Sequence, residues 1–250
     1  MKPLLLMGDS HSVALADAAR ERGFPLLGGM IAAAPGLKHG DYDVLAAALA
    51  GGGKPASRER RPPRLMVRYA QVTGLTSLAG FEGRCVVSLG QAAPHIFNSQ
   101  DWRKWDFGYP ADPQRHYLSR AALTAIAESL VAPSLEFVSR LVADGMLLAA
   151  IDGPPPTPDH RASRALGATK IHALAEIYKA PMRALLARHG IPLIAATDIA
   201  DADGYLLPEY SRGDHIHGNA AYGGLLLDRI LELLPEAERT AQVAATPTAA

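Results

Sequence analysis

Short apolar runs alternate along this chain with longer stretches of amphipathic character. The run Leu4-Leu5-Leu6-Met7 predicts a buried strand, and residues 12–22 a helix. Further strands are expected at 24–27, at 84–89 with its β-branched valines, at 146–151 and at 191–195. Helical periodicity runs over 117–144, with Pro133 as an expected interruption, and over 170–189, with Pro181 as an expected kink. A closing helix is expected at 220–234. Three segments lack regular signals. Residues 51–63 are polar and basic and predict a surface loop; 91–115 has few periodic features; 236–250 is small and polar and predicts a frayed tail.

Strands that alternate with helices predict βαβ units, hence an α/β fold with a mostly parallel sheet covered on both faces. No internal repeat and no composition shift divides the chain, so residues 1–235 are expected to form one domain. In such sheets chemistry collects at the carboxyl ends of the strands. Ser10 falls there, three residues after the first apolar run.

Composition adds exclusions. Apolar residues make up 48% of the 250 residues, enough for a sizeable core. The 25 basic and 25 acidic residues cancel, so no global field draws the chain to nucleic acid or to an anionic membrane. Cys85 is the single cysteine, so no intrachain disulfide can form, and its apolar neighbours make it a core residue. No apolar run is expected to span a membrane, and Asp9 interrupts the N-terminal run too early for a signal sequence. The expectation is a soluble, cytoplasmic protein.

The candidate chemistry sits at the two ends of the chain. Gly8-Asp9-Ser10-His11 places a serine at a strand-to-helix turn, where its N–H and the helix N-terminus can face a developing oxyanion. Asp214-His215-Ile216-His217 places an aspartate and a histidine three residues apart before the last helix. Together they supply a nucleophile (Ser10), a base (His217) and an orienting carboxylate (Asp214). The plain alternative for each string is a helix N-cap with a surface histidine.

Gly8-Asp9-Ser10, with Asp214-x-x-His217-x-Asn219 followed by Tyr222-Gly223, resembles the first and last motifs of the SGNH, or GDSL, hydrolases. The resemblance implies a three-layer flavodoxin-like fold, ester hydrolysis through Ser–His–Asp, and no cofactor or metal. It also implies an oxyanion hole completed by a glycine after the second strand, Gly28 or Gly29, and by an asparagine after the next strand of the family's framework. Here that strand runs into Gly90-Gln91-Ala92-Ala93, with Ala92 where the asparagine is expected. Gly90 and Gln91 are the candidates in its place, and Asn98 a more distant one. Loss of one such donor costs a factor of roughly 10²–10³ in turnover.

Two other classes stay open. A degenerate SGNH domain would bind a glycan or acyl ligand without turning it over. A two-metal phosphoesterase would use Asp9, His11, Asp41, His215 and His217, but no Gly-Asn-His-Asp/Glu motif accompanies them. For the esterase the expected partner is a small-molecule or carbohydrate ester. The segment 91–115 carries both tryptophans and should border the crevice, so Asp9, His95, Trp102 and Trp105 are the candidate substrate contacts. The aromatic residues serve equally well as a plug that anchors a long loop. Arg58, Arg60, Arg61 and Arg64 form a basic cluster read as a solvated loop.

Overall fold

A computed structural model describes residues 3–32, 37–47, 64–78 and 81–236. Five parallel strands form the main sheet: β1 (Leu4–Gly8), β2 (Leu26–Met30), β3 (Arg84–Val87), β6 (Leu147–Ile151) and β7 (Leu193–Ile194). Between β3 and β6, β4 (Trp105–Asp106) and β5 (His116–Tyr117) make a separate two-stranded ladder. The main order is β2-β1-β3-β6-β7. Counted by themselves these five strands run 2-1-3-4-5, the flavodoxin-like order, whose switch point lies between β1 and β3. Every residue of β1 is buried, as expected for a strand with neighbours on both sides and a layer on each face.

The strands alternate their side chains between two apolar layers. Leu4, Leu6 and Val86 face α1 (Ser12–Glu21) and α7 (Ala220–Leu233), with Leu15, Leu226 and Ile230. Leu5, Met7, Cys85 and Val87 face the other way, into a layer with α5 (Arg120–Ala143) and α6 (Arg161–Arg188). A register shift opposite Cys85/Val86 puts Leu148 and Ala149 of β6 on the same side, the mark of a β-bulge. The three layers and the parallel sheet match the fold class expected from the sequence.

Several local expectations are corrected. The second strand is β2 at Leu26–Met30, not 24–27, so it ends three residues later. Neither Pro133 nor Pro181 interrupts its helix. The break in α6 is at Gly167 (φ 75°, ψ 169°), a left-handed conformation that glycine adopts without a Cβ clash. The helix begins at Arg161, nine residues before the periodicity suggested. Among the described residues α2 (Asp41–Ala47) and α3 (Arg64–Thr73) were not anticipated. α5 is 24 residues long and apolar enough, by length and composition, to cross a membrane, against the expectation that no run is. Here it packs Leu123, Val131, Phe137 and Leu141 into the core against α6. Residues 51–63, with Arg58, Arg60 and Arg61, and the tail beyond Glu236 lie outside the described residues.

The α1–α7 contact holds the two chain ends together, and a glycine sets its closeness. A Cβ on Gly223 would lie 2.0 Å from the Ala14 carbonyl oxygen, which is fixed backbone. On Gly224 it would meet only the Arg22 guanidinium, which can swing away. Gly223→Ala should therefore destabilise the fold by about 3 kcal/mol, whereas Gly224→Ala should be neutral or stabilising by up to about 1 kcal/mol. Thermal unfolding of the two variants checks this, and a Gly223→Ala midpoint equal to the parent's would contradict it.

Candidate active site

Gly8 ends β1 in a place with no room for a side chain. A Cβ there would lie 2.1 Å from Ser88 Oγ and 2.5 Å from Ser12 Cβ. The chain then turns through Asp9 and Ser10 into α1. Asp9 organises the turn by accepting the His11 N–H on Oδ1 (2.9 Å), an Asx turn, while its carbonyl accepts the Ser12 hydroxyl (2.6 Å) and N–H (3.1 Å). The Ser10 N–H has no hydrogen-bond partner among the described residues. It sits over the N-terminus of α1, where the helix contributes partial positive charge.

The loop before α7 delivers the other groups. Asn219 caps α7, accepting the Tyr222 N–H (3.2 Å), and its amide nitrogen donates back to the carbonyls of Glu209 (2.7 Å) and Ser211 (3.2 Å). Arg212 N–H donates to the His217 carbonyl (2.9 Å), and Thr157 Oγ1 to the His215 carbonyl (2.6 Å). His215 takes a positive φ of 69°, unusual for a residue with a side chain. Held in this way, His217 directs Nε2 at Ser10 Oγ (2.7 Å) and Nδ1 at Asp214 Oδ2 (2.6 Å). Asp214 Oδ1 also accepts the N–H groups of His217 (2.9 Å) and Ile216 (3.2 Å). Desolvation raises the Asp214 pKa, but these hydrogen bonds outweigh it, and the carboxyl titrates below its ordinary value. Ser10, His217 and Asp214 thus form one continuous hydrogen-bonded line.

Behind this line lies a buried polar layer. Asp9 is almost fully enclosed, with Ser88 Oγ at 3.4 Å and His95 near enough to interact. Burial raises its pKa, and the His11 N–H, His95, Ser88 and His217 only partly offset it. The His11 ring packs 4.8 Å from that of His217. Burial first, then the neighbouring His217 and Lys179, lower its pKa to about 3, so His11 is neutral at pH 7. His95 Nδ1 meets Tyr178 OH at 3.1 Å. Sequence reasoning missed Ser88, Tyr178 and the buried Lys179–Asp152 pair (2.5 Å). All three sit in apolar strands, helices or strand ends with no motif to mark them.

The other predicted site residues divide. Gly28 and Gly29 are corrected: they lie inside β2, paired with Leu6 and Met7, three to four residues short of the level of Ser10. Gly28 instead permits close strand pairing, since its Cβ would lie 2.2 Å from the Leu6 carbonyl oxygen. The strand runs on to Met30, which carries its glycines below the crevice. Gly90 and Gln91 follow β3 as expected, but Gly90 packs toward Met182, Ser134 and Val131 on the α5–α6 side. Gln91 is fully buried, and neither end of its amide has a partner. Ala92 is buried too. Asn98 is exposed and accepts from Arg161 (3.1 Å), so it does not fold back. Of the four proposed substrate contacts, Asp9 and Trp102 are closed to solvent. Asp9 is turned inward, and Trp102 is the plug: its Nε1 donates to the Phe97 carbonyl (2.8 Å) and its ring meets Phe107 edge-on. His95 and Trp105 are half-buried.

A two-metal reading finds no support in this geometry. Both ring nitrogens of His217 are engaged, and Asp41 accepts the Lys38 N–H (2.7 Å) at the start of α2. Among the described residues no three His, Cys, Asp or Glu side chains converge as a metal site.

No protein-family model matches the chain, and no curated protein matches it. Among solved structures it is similar to a GDSL-like lipase from Bacteroides thetaiotaomicron, at 12% identity over 96% of this chain and 89% of that one, with a TM-score of 0.46. It is also similar to a "putative acylhydrolase" from Bacteroides fragilis, at 12% identity over 97% and 91%, with a TM-score of 0.44.

The buried pair Asp9 and His11 gives opposite pH signatures. His11 binds a proton in the unfolded chain near pH 6.5 but in the folded one only near 3, so it costs stability as pH falls through that window. At pH 5 the cost is roughly 2 kcal/mol. His11→Asn should therefore gain on the parent between pH 7 and 5. Asp9 has a raised folded pKa, so its contribution is fully present below about pH 3.9 and is lost as pH rises through the folded value. Asp9→Asn should accordingly gain on the parent as pH rises. Urea unfolding at pH 4, 5 and 7 reads both trends, and parallel pH profiles for parent and variants would refute them.

Proposed function

We propose that the chain is a serine esterase or O-deacylase, with the Ser10–His217–Asp214 line as its catalytic triad. That hydrogen-bonded line, joining residues 207 positions apart, is the observation that carries the reading. Ser10 Oγ attacks the ester carbonyl carbon as its proton passes to His217 Nε2. The carbonyl oxygen becomes an oxyanion beside the Ser10 N–H and the α1 N-terminus. Collapse of the tetrahedral intermediate breaks the ester C–O bond, and His217 returns the proton to the departing alcohol. Water then attacks the acyl-serine, with His217 as base, and releases the carboxylic acid. An alcohol in place of that water makes the same chemistry an acyl transfer. Asp214 holds the imidazole with Nδ1 protonated and Nε2 toward the serine, and its carboxylate balances the imidazolium that forms.

A second oxyanion donor is needed where Ala92 replaces the asparagine of the SGNH pattern. Gln91 is our candidate. Its amide follows β3, is closed to solvent and has nothing to bond, so it serves as donor only if the side chain turns toward Ser10 when the ester binds. Without such a donor turnover falls, and in the limit the fold binds a glycan or acyl ligand without turning it over, which is the binding-only alternative.

A fluorophosphonate probe should label the parent and not Ser10→Ala. Ser10→Ala and His217→Ala should each reduce kcat by a factor on the order of 10⁴–10⁶, and the double variant by little more, because the two share one chemical step. Multiplying losses, or labelling that survives Ser10→Ala, would remove the triad. Separately, Gln91→Ala should lower kcat on an activated aryl ester by a factor of about 10² with KM nearly unchanged. An unaltered kcat would place the second donor elsewhere.

A further inference from the structure

A cavity of about 920 Å³ opens between the segment that leaves α4 (Pro94–Phe97) and the start of α6. Its walls carry five cations, Arg103, Lys104, Arg115, Arg161 and Arg164, together with the half-buried ring of Trp105. Two carboxylates answer them. Asp101 pairs with Arg103 (2.9 Å) and Lys104 (3.7 Å), and Asp112 pairs with Arg115 (3.0 Å). Arg161 has only the neutral Asn98 Oδ1, and Arg164 has no ion pair among the described residues. Five cations against two carboxylates leave a local excess of positive charge in a chain whose net charge is zero. Burial above all, then Arg161, His215 and Arg164, disfavour the protonated form of His160 just behind the wall. Arg115 is fixed in place, since it also donates to the carbonyls of Trp102 (3.2 Å) and Ala165 (2.7 Å). A pre-positioned guanidinium, two further arginines without acidic partners and an indole wall suit a ligand with several anionic groups on ring-shaped units.

The cavity also lies next to the loop that carries the triad histidine. A narrow cleft is lined by Phe97, His160, His215 and Ile216, with the Phe97 and His160 rings 5.6 Å apart. On one side Ile216 precedes His217. On the other, Asn98 and Arg161 directly follow Phe97 and His160 and belong to the cavity wall. The basic cavity and the loop that carries the triad histidine are therefore neighbours, with the Phe97–His160 ring contact between them. The volume exceeds the need of a single small anion and falls within the range of ligand sites.

We propose that this cavity binds an acidic saccharide, sugar rings bearing carboxylate or sulfate groups, as the distal portion of the ester presented to Ser10. The link to Ser10 rests on the esterase reading; the binding of an acidic saccharide does not. Calorimetry of the parent protein with trigalacturonate, cellotriose and an oligothymidylate of equal charge tests it. Trigalacturonate should bind about tenfold or more tighter than cellotriose, and its affinity should fall as salt is raised. Arg161→Ala combined with Arg164→Ala should weaken it by about tenfold or more, with the thermal midpoint kept. Arg164→Glu alone, at an exposed position, gives a second variant with the same expected direction should the pair lose its fold. Equal affinity for the two trisaccharides, or indifference to the arginine changes, would overturn the proposal. Oligothymidylate binding as tightly as trigalacturonate would overturn it too, in favour of nucleic acid. A protein that binds trigalacturonate as described but shows no Ser10-dependent hydrolysis of any ester would support the saccharide site while removing the esterase reading.

Discussion

Gly8 stands where β1, β3 and α1 approach too closely for any side chain. That contact brings Ser88 and Ser12 against the strand end and forces the chain to turn at once. The turn must then be closed by a residue able to accept backbone N–H groups without occupying space, and Asp9 does so. Ser10 is consequently the first side chain free to leave the sheet. It emerges beside the position where the strand order reverses, with neighbouring strands diverging to either side. A residue with a Cβ at position 8 would displace either the strand pair or the first turn of α1. In both cases Ser10 would move relative to a histidine that is anchored independently.

That independence is the second structural element. The 211–219 loop is not held by Ser10. It is held by Asn219 at the mouth of α7, by Thr157 from the β6–α6 connection, and by a short bridge between Ser211 and Gly218. α7 is in turn seated on α1 through the bare backbone of Gly223. The Ser10–His217 hydrogen bond therefore joins two arms whose positions the packing has already set. Little conformational entropy remains to be lost when it forms, which is the physical content of preorganisation.

Much of this was legible in the sequence where period and punctuation coincided. The uninterrupted apolar run at 4–7, the valines of 84–89 and the alternation with helices gave the parallel α/β fold. Asp214 and His217 stood before an obvious helix start at Asn219. What escaped had physical reasons. The second strand contains Gly28 and Gly29, which carry almost no hydrophobic signal, so its end was placed early and its glycines were assigned to the crevice. Pro133 and Pro181 read as breaks, but helices embedded in a packed layer tolerate a missing N–H. Gly167, an unremarkable glycine in sequence, is the actual discontinuity. Trp102 reads equally as a substrate contact or as a plug, because the segment 91–115 leaves the carboxyl end of a central strand, and Asp9 stands next to Ser10 in the chain. The burial of Asp9 depends on Ser88, 79 positions away, which no local window contains; Trp102 is closed off through the nearby Phe97 and Phe107, but proximity in the chain alone does not say which way the ring turns.

The buried layer behind Ser10 bears on how a proton can cycle in the proposed mechanism. Two imidazoles, of His11 and His217, lie 4.8 Å apart, and two charged rings at that distance would repel each other. Burial settles the competition. His11 is enclosed and its charged form is strongly disfavoured, whereas His217 is partly open and has the Asp214 carboxylate on its far nitrogen. Asp214, titrating below its ordinary value, bonds directly to that nitrogen, whereas its charge acts on His11 only from a distance, too weakly to offset burial, and His11 Nδ1 has no hydrogen-bond partner. A proton released by Ser10 thus has one favourable destination. The same enclosure makes His11 sensitive to acid, so the selectivity that directs the proton to His217 is obtained at some expense of fold stability below neutral pH.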